Sequence, residues 1–129
     1  MIQNKIGKKT EEKIAENFQK DGYICFNFPK NINGQPFDII AAKENKIWFI
    51  DAKHLTEKKN VFSFERIEPN QISSMHYAYS FAKVMGKIGF IIEWDKTKKV
   101  YFLSYELYLQ EKKEERKSIS MNRLEELLW

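Results

Sequence analysis

The sequence has little cysteine and histidine, which excludes a disulfide framework and the common zinc sites. Cys25 has no second cysteine to pair with, and it lies in the strand-like run "YICFNF", which favours a buried, inert thiol. His54 and His76 are too few for a zinc finger or ribbon, and they lack the partners of a His-based nuclease or a catalytic triad. There is also no Gly-rich phosphate loop. The chemistry must come from other residues.

Long apolar runs are missing as well. No segment approaches the roughly 20 apolar residues that span a bilayer, and the first residues lack the apolar centre of a signal peptide. Gly/Ser-rich linkers and internal repeats are absent too, and 129 residues is the length of one ordinary domain. We therefore expect a single domain, residues 1–129, located in the cytoplasm.

The charge is moderately basic. A net charge of +4 and a pI near 9.0 are compatible with a nucleic-acid partner without requiring one. The basic side chains that are candidates for phosphate contacts are Lys8, Lys9, Lys58, Lys59 and Arg66. The alternative for each is an ordinary solvated surface residue.

Hydrophobic periodicity predicts a mixed α/β domain with helices flanking a central sheet, in the order α-β-β-β-α-β-β-α. The pattern predicts a helix over 8–20, strands over 23–28, 37–42 and 46–53, a helix between Pro69 and Gly86, strands over 88–94 and 99–105, and one or two helices in the tail ending in "MNRLEELLW". Tyr77, Tyr79 and Phe81 are expected to be packing residues of the second helix, the alternative being a platform on which bases stack.

Charged residues interrupt the apolar stretch "FDIIAAKENKIWFIDAKHL". If the hairpin turns at Glu44 and Asn45, Asp38 lies opposite Asp51, with their Cβ atoms about 5 Å apart. Because side chains alternate with period 2, Lys53 lies on the same face as Asp51. Two carboxylates and an ammonium are thus predicted to converge on one patch.

Like charges opposed in a sheet are unfavourable unless they are compensated. Lys53 neutralises one carboxylate, and paired carboxylate oxygens suit a hard divalent ion such as Mg²⁺, with Mn²⁺ as the alternative. The competing interpretation is a structural salt bridge at the end of a sheet, because an Asp-x12-Asp-x-Lys spacing is common by chance.

These residues resemble a known family. "QPFD" and "IDAK" resemble the PD-(D/E)xK nuclease motif, and the later elements "EPNQI", "GKIGFIIEWDKTKKVYFLSYELY" and "RKSIS" follow in the order found in RecU-like Holliday-junction resolvases of Gram-positive bacteria and their phages. The resemblance covers roughly residues 7–120. It departs at Pro36, where the family often has threonine, and the chain has little room for the stalk of the bacterial members. A small phage-type resolvase is therefore the better comparison.

The resemblance implies a restriction-endonuclease-like fold and a metal-dependent endonuclease acting on branched DNA in a bacterial or phage-infected cell. It implies metal ligation by Asp38, Asp51 and the Ala52 carbonyl, with Gln71 near the metal and Lys53 at the scissile phosphate. It also implies products with a 5′-phosphate and a 3′-hydroxyl. Glu11 matches a glutamate four residues after a glycine in related resolvases, and helical spacing turns it inward with Ile14 and Phe18. The alternative for Glu11 is a first-turn residue that complements the helix dipole.

The approximate two-fold symmetry of a Holliday junction predicts a homodimer, since each chain holds one Asp38-Asp51-Lys53 cluster. Candidate interface aromatics are Trp94, Tyr101, Phe102 and Trp129. Two alternatives stay open. One is a restriction-type or repair-type PD-(D/E)xK nuclease acting on linear DNA, and the other is a nucleic-acid-binding module without catalysis.

Overall fold

A computed structural model describes residues 2–27, 37–56, 58–82 and 86–129, and side chains from Gly7 onwards. The elements in chain order are α1 (Ile2–Lys20), β1 (Ile24–Asn27), β2 (Ile39–Lys43), β3 (Lys46–Leu55), β4 (Val61–Ser63), a 3₁₀ turn (Phe64–Arg66), α2 (Pro69–Ala82), β5 (Gly86–Trp94), β6 (Lys99–Ser104), α3 (Tyr105–Lys113), β7 (Ser118–Ser120), a second 3₁₀ turn (Met121–Arg123) and β8 (Glu125–Leu127). In the part of the chain described, no helix has the length and apolarity needed to cross a membrane.

A six-stranded mixed sheet forms the centre, with strand order β1-β2-β3-β5-β6-β8. Strands β3 and β5 run parallel and the other neighbours run antiparallel. Strands β4 and β7 form a separate two-stranded ribbon. The predicted α/β architecture of a mixed sheet flanked by helices is confirmed.

Each face of the sheet buries its own apolar layer. Helix α1 packs Ile14 and Phe18 against one face, beside Ile50 and Ile91. The opposite face carries a larger core made with α2 and α3, where Met75 joins the side chains from β5 and β6. The alternation of side chains along β3 therefore sends successive residues to different layers. Odd-numbered β3 residues face α2, and even-numbered ones face α1.

The C-terminal tail differs from the prediction. Helix α3 is present, but the last segment, expected to be helical, is a 3₁₀ turn followed by strand β8. This strand pairs with β6, with Val100 opposite Leu127 and Phe102 opposite Glu125. Pairing with an open strand edge satisfies the backbone groups of a segment too short for a stable isolated helix. Strands β4 and β7 were also not predicted.

The predicted interface aromatics are mostly core residues. Trp94, Tyr101 and Phe102 are buried, while Trp129 is half-exposed and packs its ring 5.0 Å from that of Phe18. The expectation that Tyr77 and Phe81 pack inside was also wrong, because these side chains are 73% and 62% exposed. Exposed aromatic surface therefore lies on α2, not on the central strands.

A buried glutamate ties α3 to the C-terminal segment. Glu111 accepts hydrogen bonds from Arg123, whose Nη2 lies 3.1 Å from Oε2, and from Arg116, whose Nη1 lies 3.2 Å from Oε1. The Arg123 guanidinium lowers the pKa of Glu111, Arg116 adds to this, and burial opposes it. The charged form of Glu111 is therefore the one that stabilises the fold.

Glu111→Gln is expected to lower the free energy of unfolding by about 1.5–3 kcal/mol near neutral pH, because it removes hydrogen bonds between charged groups. The fold lowers the pKa of Glu111 below its value of about 4.3 in the unfolded chain. The contribution of Glu111 to the free energy of unfolding is therefore fully present above this unfolded pKa, and it is lost as the pH falls through the folded pKa. Urea unfolding between neutral and acidic pH measures both effects. Glu114→Gln, which removes an exposed partner of Arg116, is the control, and equal losses in the two variants would contradict the assignment.

Candidate active site

The hairpin of β2 and β3 brings the two predicted aspartates together. It turns at Glu44, whose φ of 54° lies in the left-handed region, and it pairs Ile39 with Ile50 in the predicted register. Asp38 lies one residue beyond this last ladder pair, and its backbone N–H donates to the Ile50 carbonyl at 3.1 Å. The same register continued by one residue sets Asp38 opposite Asp51.

Reciprocal backbone bonds hold the two carboxylates in place. The Asp38 N–H lies 3.2 Å from Asp51 Oδ1, and the Ala52 N–H donates to Asp38 Oδ2 at 2.8 Å. Hydrogen bonds from amides to carboxylates favour the ionised form, which offsets part of the repulsion between neighbouring acids. Asp51 is buried and Asp38 is half-buried, so the pair lies at the boundary between core and solvent.

Lys53 shares the α2-facing side of β3 with Asp51. Its ammonium donates to Gln71 Oε1 at 2.9 Å. Burial lowers the pKa of Lys53, the charges of Asp51 and Asp38 partly oppose this, and the nearby Arg66 adds to the lowering. The result is a partly desolvated cation beside two acids. Such a group acts more strongly on a charge that develops next to it than an exposed lysine does.

Gln71 connects this lysine to the start of α2. Its Oε1 also accepts from the Glu68 N–H at 3.0 Å, and Pro69 occupies the first helical position. A side chain that reaches back from the third helical position to the capping residue is one half of a capping box. The glutamine oxygen therefore serves both the helix start and Lys53. Its predicted contact with a metal stays a prediction.

Glu11 is 7% exposed, so the inward orientation predicted from helical spacing is confirmed. Among the residues that the structure describes, no three Asp, Glu, His or Cys side chains are grouped so as to hold a metal ion. Glu11 is thus not gathered with Asp38 and Asp51 into a three-ligand cluster. Its catalytic role stays a prediction, as an outer residue of the site.

The donors at the hairpin end fit a divalent cation. Asp38 and Asp51 supply two carboxylates whose orientation is fixed by backbone amides, and the Ala52 carbonyl is the further ligand that the family resemblance implies. Mg²⁺ commonly binds through one or two carboxylates and keeps several waters. The two carboxylates match that donor set, since carboxylate oxygens suit a hard cation.

The predicted phosphate contacts divide into two kinds. Lys8, Lys9, Lys58 and Lys59 are exposed. Arg66 is half-buried, donates from Nη2 to the His54 carbonyl at 2.7 Å, and lies 5.6 Å from the centre of the Phe62 ring. Arg66 thus supports the end of β3, whereas the four lysines are positioned for solvent or a ligand. Phosphate contact by any of the five stays a prediction.

Sequence reasoning missed a polar cluster on the other face of the sheet. His54 and Glu93 are partners in the parallel ladder of β3 and β5, and Thr10 and Lys13 reach them from α1. Burial raises the pKa of Glu93, but hydrogen bonds from Lys13, Thr10 and His54 outweigh it and leave the pKa lowered. A parallel pairing between distant strands leaves no local signal in the sequence, so the partners of His54 were not foreseeable.

A family model described as Recombination protein U matches residues 35–128, which is most of the chain. The chain belongs to the RecU family. The sequence-based assignment to RecU-like proteins is thereby confirmed. The matched segment contains Asp38, Asp51, Lys53 and Gln71 and begins after Glu11. No curated protein matches this RecU-family chain.

A solved structure shares the fold. It is Hjc from Archaeoglobus fulgidus, described as a Holliday junction resolvase from an archaeal hyperthermophile. The TM-score is 0.66 at 16% sequence identity, over 92% of this chain and 93% of that one. The predicted restriction-endonuclease-like fold is confirmed, since the match extends over nearly the whole of both chains.

Proposed function

We propose that this RecU-family protein is a divalent-metal-dependent endonuclease that resolves four-way DNA junctions by paired nicks. The observation that carries the proposal is the cluster at the end of the β2–β3 hairpin. There Asp51 accepts from the Asp38 N–H and Asp38 accepts from the Ala52 N–H, beside the partly buried Lys53. The family match and the fold shared with an archaeal Holliday junction resolvase support the choice of substrate.

In the proposed mechanism the carboxylates of Asp38 and Asp51, with the Ala52 carbonyl, would hold the ion. When bound there, Mg²⁺ would supply activation of the attacking water and stabilisation of negative charge on the scissile phosphate. Lys53 places its ammonium beside that phosphate and stabilises the charge that develops as the water oxygen attacks phosphorus. The bond from phosphorus to the 3′-oxygen breaks. The attacking water loses one proton to solvent, and the 3′-oxygen takes one proton from solvent, so the net change is hydrolysis. The products are a 5′-phosphate and a 3′-hydroxyl.

Gln71 holds the lysine for this step. Gln71→Leu is expected to lower the cleavage rate by about tenfold to hundredfold, the usual effect of removing a residue that orients a site group. Because Leu also removes the bond to the Glu68 amide, Gln71→Glu is the matched variant. It keeps an acceptor for both donors, and it should recover most of the lost thermal stability. Single-turnover cleavage and thermal unfolding separate the two effects, and a Leu variant that cleaves at the wild-type rate would refute this role.

Paired nicking requires two active sites, and we propose a homodimer. Ile24 and Phe26 of β1 are 66% and 54% exposed, and Phe26 lies on the same sheet face as Ile40 and Phe49. The ring of Phe81 on α2 lies 6.0 Å from that of Phe49. The exposed apolar side chains of β1 and Phe81 therefore lie on the same side of the sheet, although Phe49 itself is buried, and a second copy of this chain is their proposed occupant.

The two edges of the sheet support this location. The β8 edge carries Glu125 and Glu126, which pair with Lys87 and Lys99. Strand β1, with sequence ICFN, has no charged residue. Charges on an edge strand discourage association, and their absence permits it. Edge β1 is therefore the better candidate for contact with another protomer.

The test compares a four-way junction with a linear duplex of matching sequence, each with and without Mg²⁺. Cleavage of the junction alone, in symmetric pairs and only with metal, is the expected result. Equal cleavage of the duplex would indicate a PD-(D/E)xK nuclease of the restriction or repair type. Binding without turnover would indicate a nucleic-acid-binding module. Replacing Mg²⁺ by Mn²⁺ in the same assay tests the alternative ion.

A further inference from the structure

A buried polar cluster lies between α1 and the carboxyl ends of β3 and β5, on the face of the sheet opposite Lys53. The Thr10 hydroxyl donates to Glu93 Oε1 at 3.1 Å. His54 Nδ1 lies 3.0 Å from the same carboxylate oxygen and 3.1 Å from Thr10 Oγ1. Lys13 Nζ lies 2.5 Å from Glu93 Oε2. These four residues are here called the α1 cluster.

The α1 cluster is costly to bury, and apolar side chains occupy the adjacent layer. Thr10 is 2% exposed and Glu93 is 8% exposed, next to the layer built from Ile14 and Ile91. A buried carboxylate is tolerated only when it is hydrogen-bonded and paired, and a well-packed apolar group in its place is often no less stable. What such a network supplies instead is one defined arrangement of the elements that it joins.

The elements joined by the α1 cluster carry the proposed active site. Thr10 precedes Glu11 on α1, and His54 follows Lys53 on β3. Since neighbouring strand residues point to opposite faces, the position of the His54 side chain on one side determines the direction of Lys53 on the other. Arg66 holds the His54 carbonyl from the 3₁₀ turn. The end of β3 is thus fixed at its backbone and at its side chain.

We infer that Thr10, His54 and Glu93 are positioning residues that set how α1 docks on β3 and β5, and that they thereby place Glu11 and Lys53 relative to the paired aspartates. This inference rests on the proposed nuclease function and deepens it. None of the three touches the DNA or the ion in this scheme. Thr10 and His54 act through the backbone of the neighbouring Glu11 and Lys53, and Glu93 holds both of them by hydrogen bonds.

The experiment uses Thr10→Val, which keeps the shape of the side chain and removes its hydroxyl, and Thr10→Ser, which keeps the hydroxyl. Thr10→Val and Glu93→Gln are expected to lower the single-turnover cleavage rate by about tenfold to hundredfold while junction affinity is unchanged. Thr10→Ser should cleave close to the wild-type rate. In metal-free Thr10→Val, amide hydrogen exchange should become faster in residues 7–14 of α1, while that of α3 is unchanged.

The control for lost stability is Glu111→Gln, because Glu111 is also a buried glutamate bonded to cations but lies on α3. At a temperature where all variants are folded, it should cleave like the wild type. The inference would be overturned if Thr10→Val cleaved at the wild-type rate, if its loss were explained by weaker junction binding, or if Glu111→Gln lost as much activity. In each case, cleavage by the wild type would leave the nuclease function standing. Wild-type protein that cleaves no DNA overturns the proposed function itself.

Discussion

Asp51→Asn is expected to lower junction cleavage by about a hundredfold to a thousandfold, because single preorganised electrostatic contributions at such sites are worth about 10²–10³ in rate. The change removes one of two neighbouring carboxylates and so weakens the proposed ion site. Asp38→Asn and Lys53→Ala should have similarly severe effects, since each removes another member of the same cluster. Single-turnover cleavage of a labelled four-way junction in Mg²⁺ measures these losses.

Folding and DNA binding should survive the Asp51→Asn change. Asp51 is 3% exposed and lies opposite Asp38, so removing its charge relieves repulsion, and the metal-free variant should unfold at the same or a higher temperature. Junction affinity in Ca²⁺ or without metal should be unchanged. Asp21→Asn, at an exposed aspartate after α1, is the matched control and should cleave normally. Near-normal turnover by Asp51→Asn would remove the basis of the site assignment.

Tyr77→Glu is expected to convert the protein from dimer to monomer. Tyr77 is 73% exposed and its ring lies 5.4 Å from that of Phe81, at the α2 end of the proposed interface. A charge buried there without a partner should weaken association by about 2 kcal/mol or more, the loss seen at residues that dominate an interface. Sedimentation equilibrium should give twice the chain mass of 15.5 kDa for the wild type and the single mass for the variant.

The variant should also change the pattern of cleavage. A monomer carries one Asp38-Asp51-Lys53 cluster, so Tyr77→Glu should produce single nicks where the wild type produces pairs. Mixing wild type with excess Asp51→Asn should have the same effect through mixed dimers. Leu128→Glu places the same charge at an 88% exposed residue away from α2 and should leave the mass unchanged. A wild type that is monomeric both free and on junction DNA would refute the dimer but not the nuclease chemistry.

The β2–β3 hairpin shows which features the local sequence pattern can predict. Its register depends on the turn at Glu44 and Asn45 and on the alternation of apolar side chains. Both features can be recognised from one continuous segment of the sequence. That register placed Asp38 opposite Asp51 and Lys53 on the same face before any tertiary information was used. The inward orientation of Glu11 was predicted correctly for a similar reason, because the helical period depends only on residues close together in the chain.

The sequence did not predict which aromatic residues are exposed. Tyr77 and Phe81 are aromatic residues of the kind found in a core, yet both are exposed, whereas Met75, Ala78 and Ala82 of the same helix are buried. Trp94, Tyr101 and Phe102 were candidates for an interface, but two layers of helices cover their strands. The sequence pattern around an aromatic side chain is the same whether the side chain is buried or exposed. Only the positions of the other elements decide between burial and exposure.

The sequence by itself determined the order of the main elements, the register of the β2–β3 hairpin and the convergence of Asp38, Asp51 and Lys53, because each depends on residues close together in the chain. Tertiary structure alone decided that the tail adds strand β8 to the sheet, that Gln71 holds Lys53, and that Thr10, Lys13, His54 and Glu93 form one cluster. These features join segments separated by up to 83 residues. Contacts over such distances arise from the packing of whole elements, which leaves no periodic signal in any one of them.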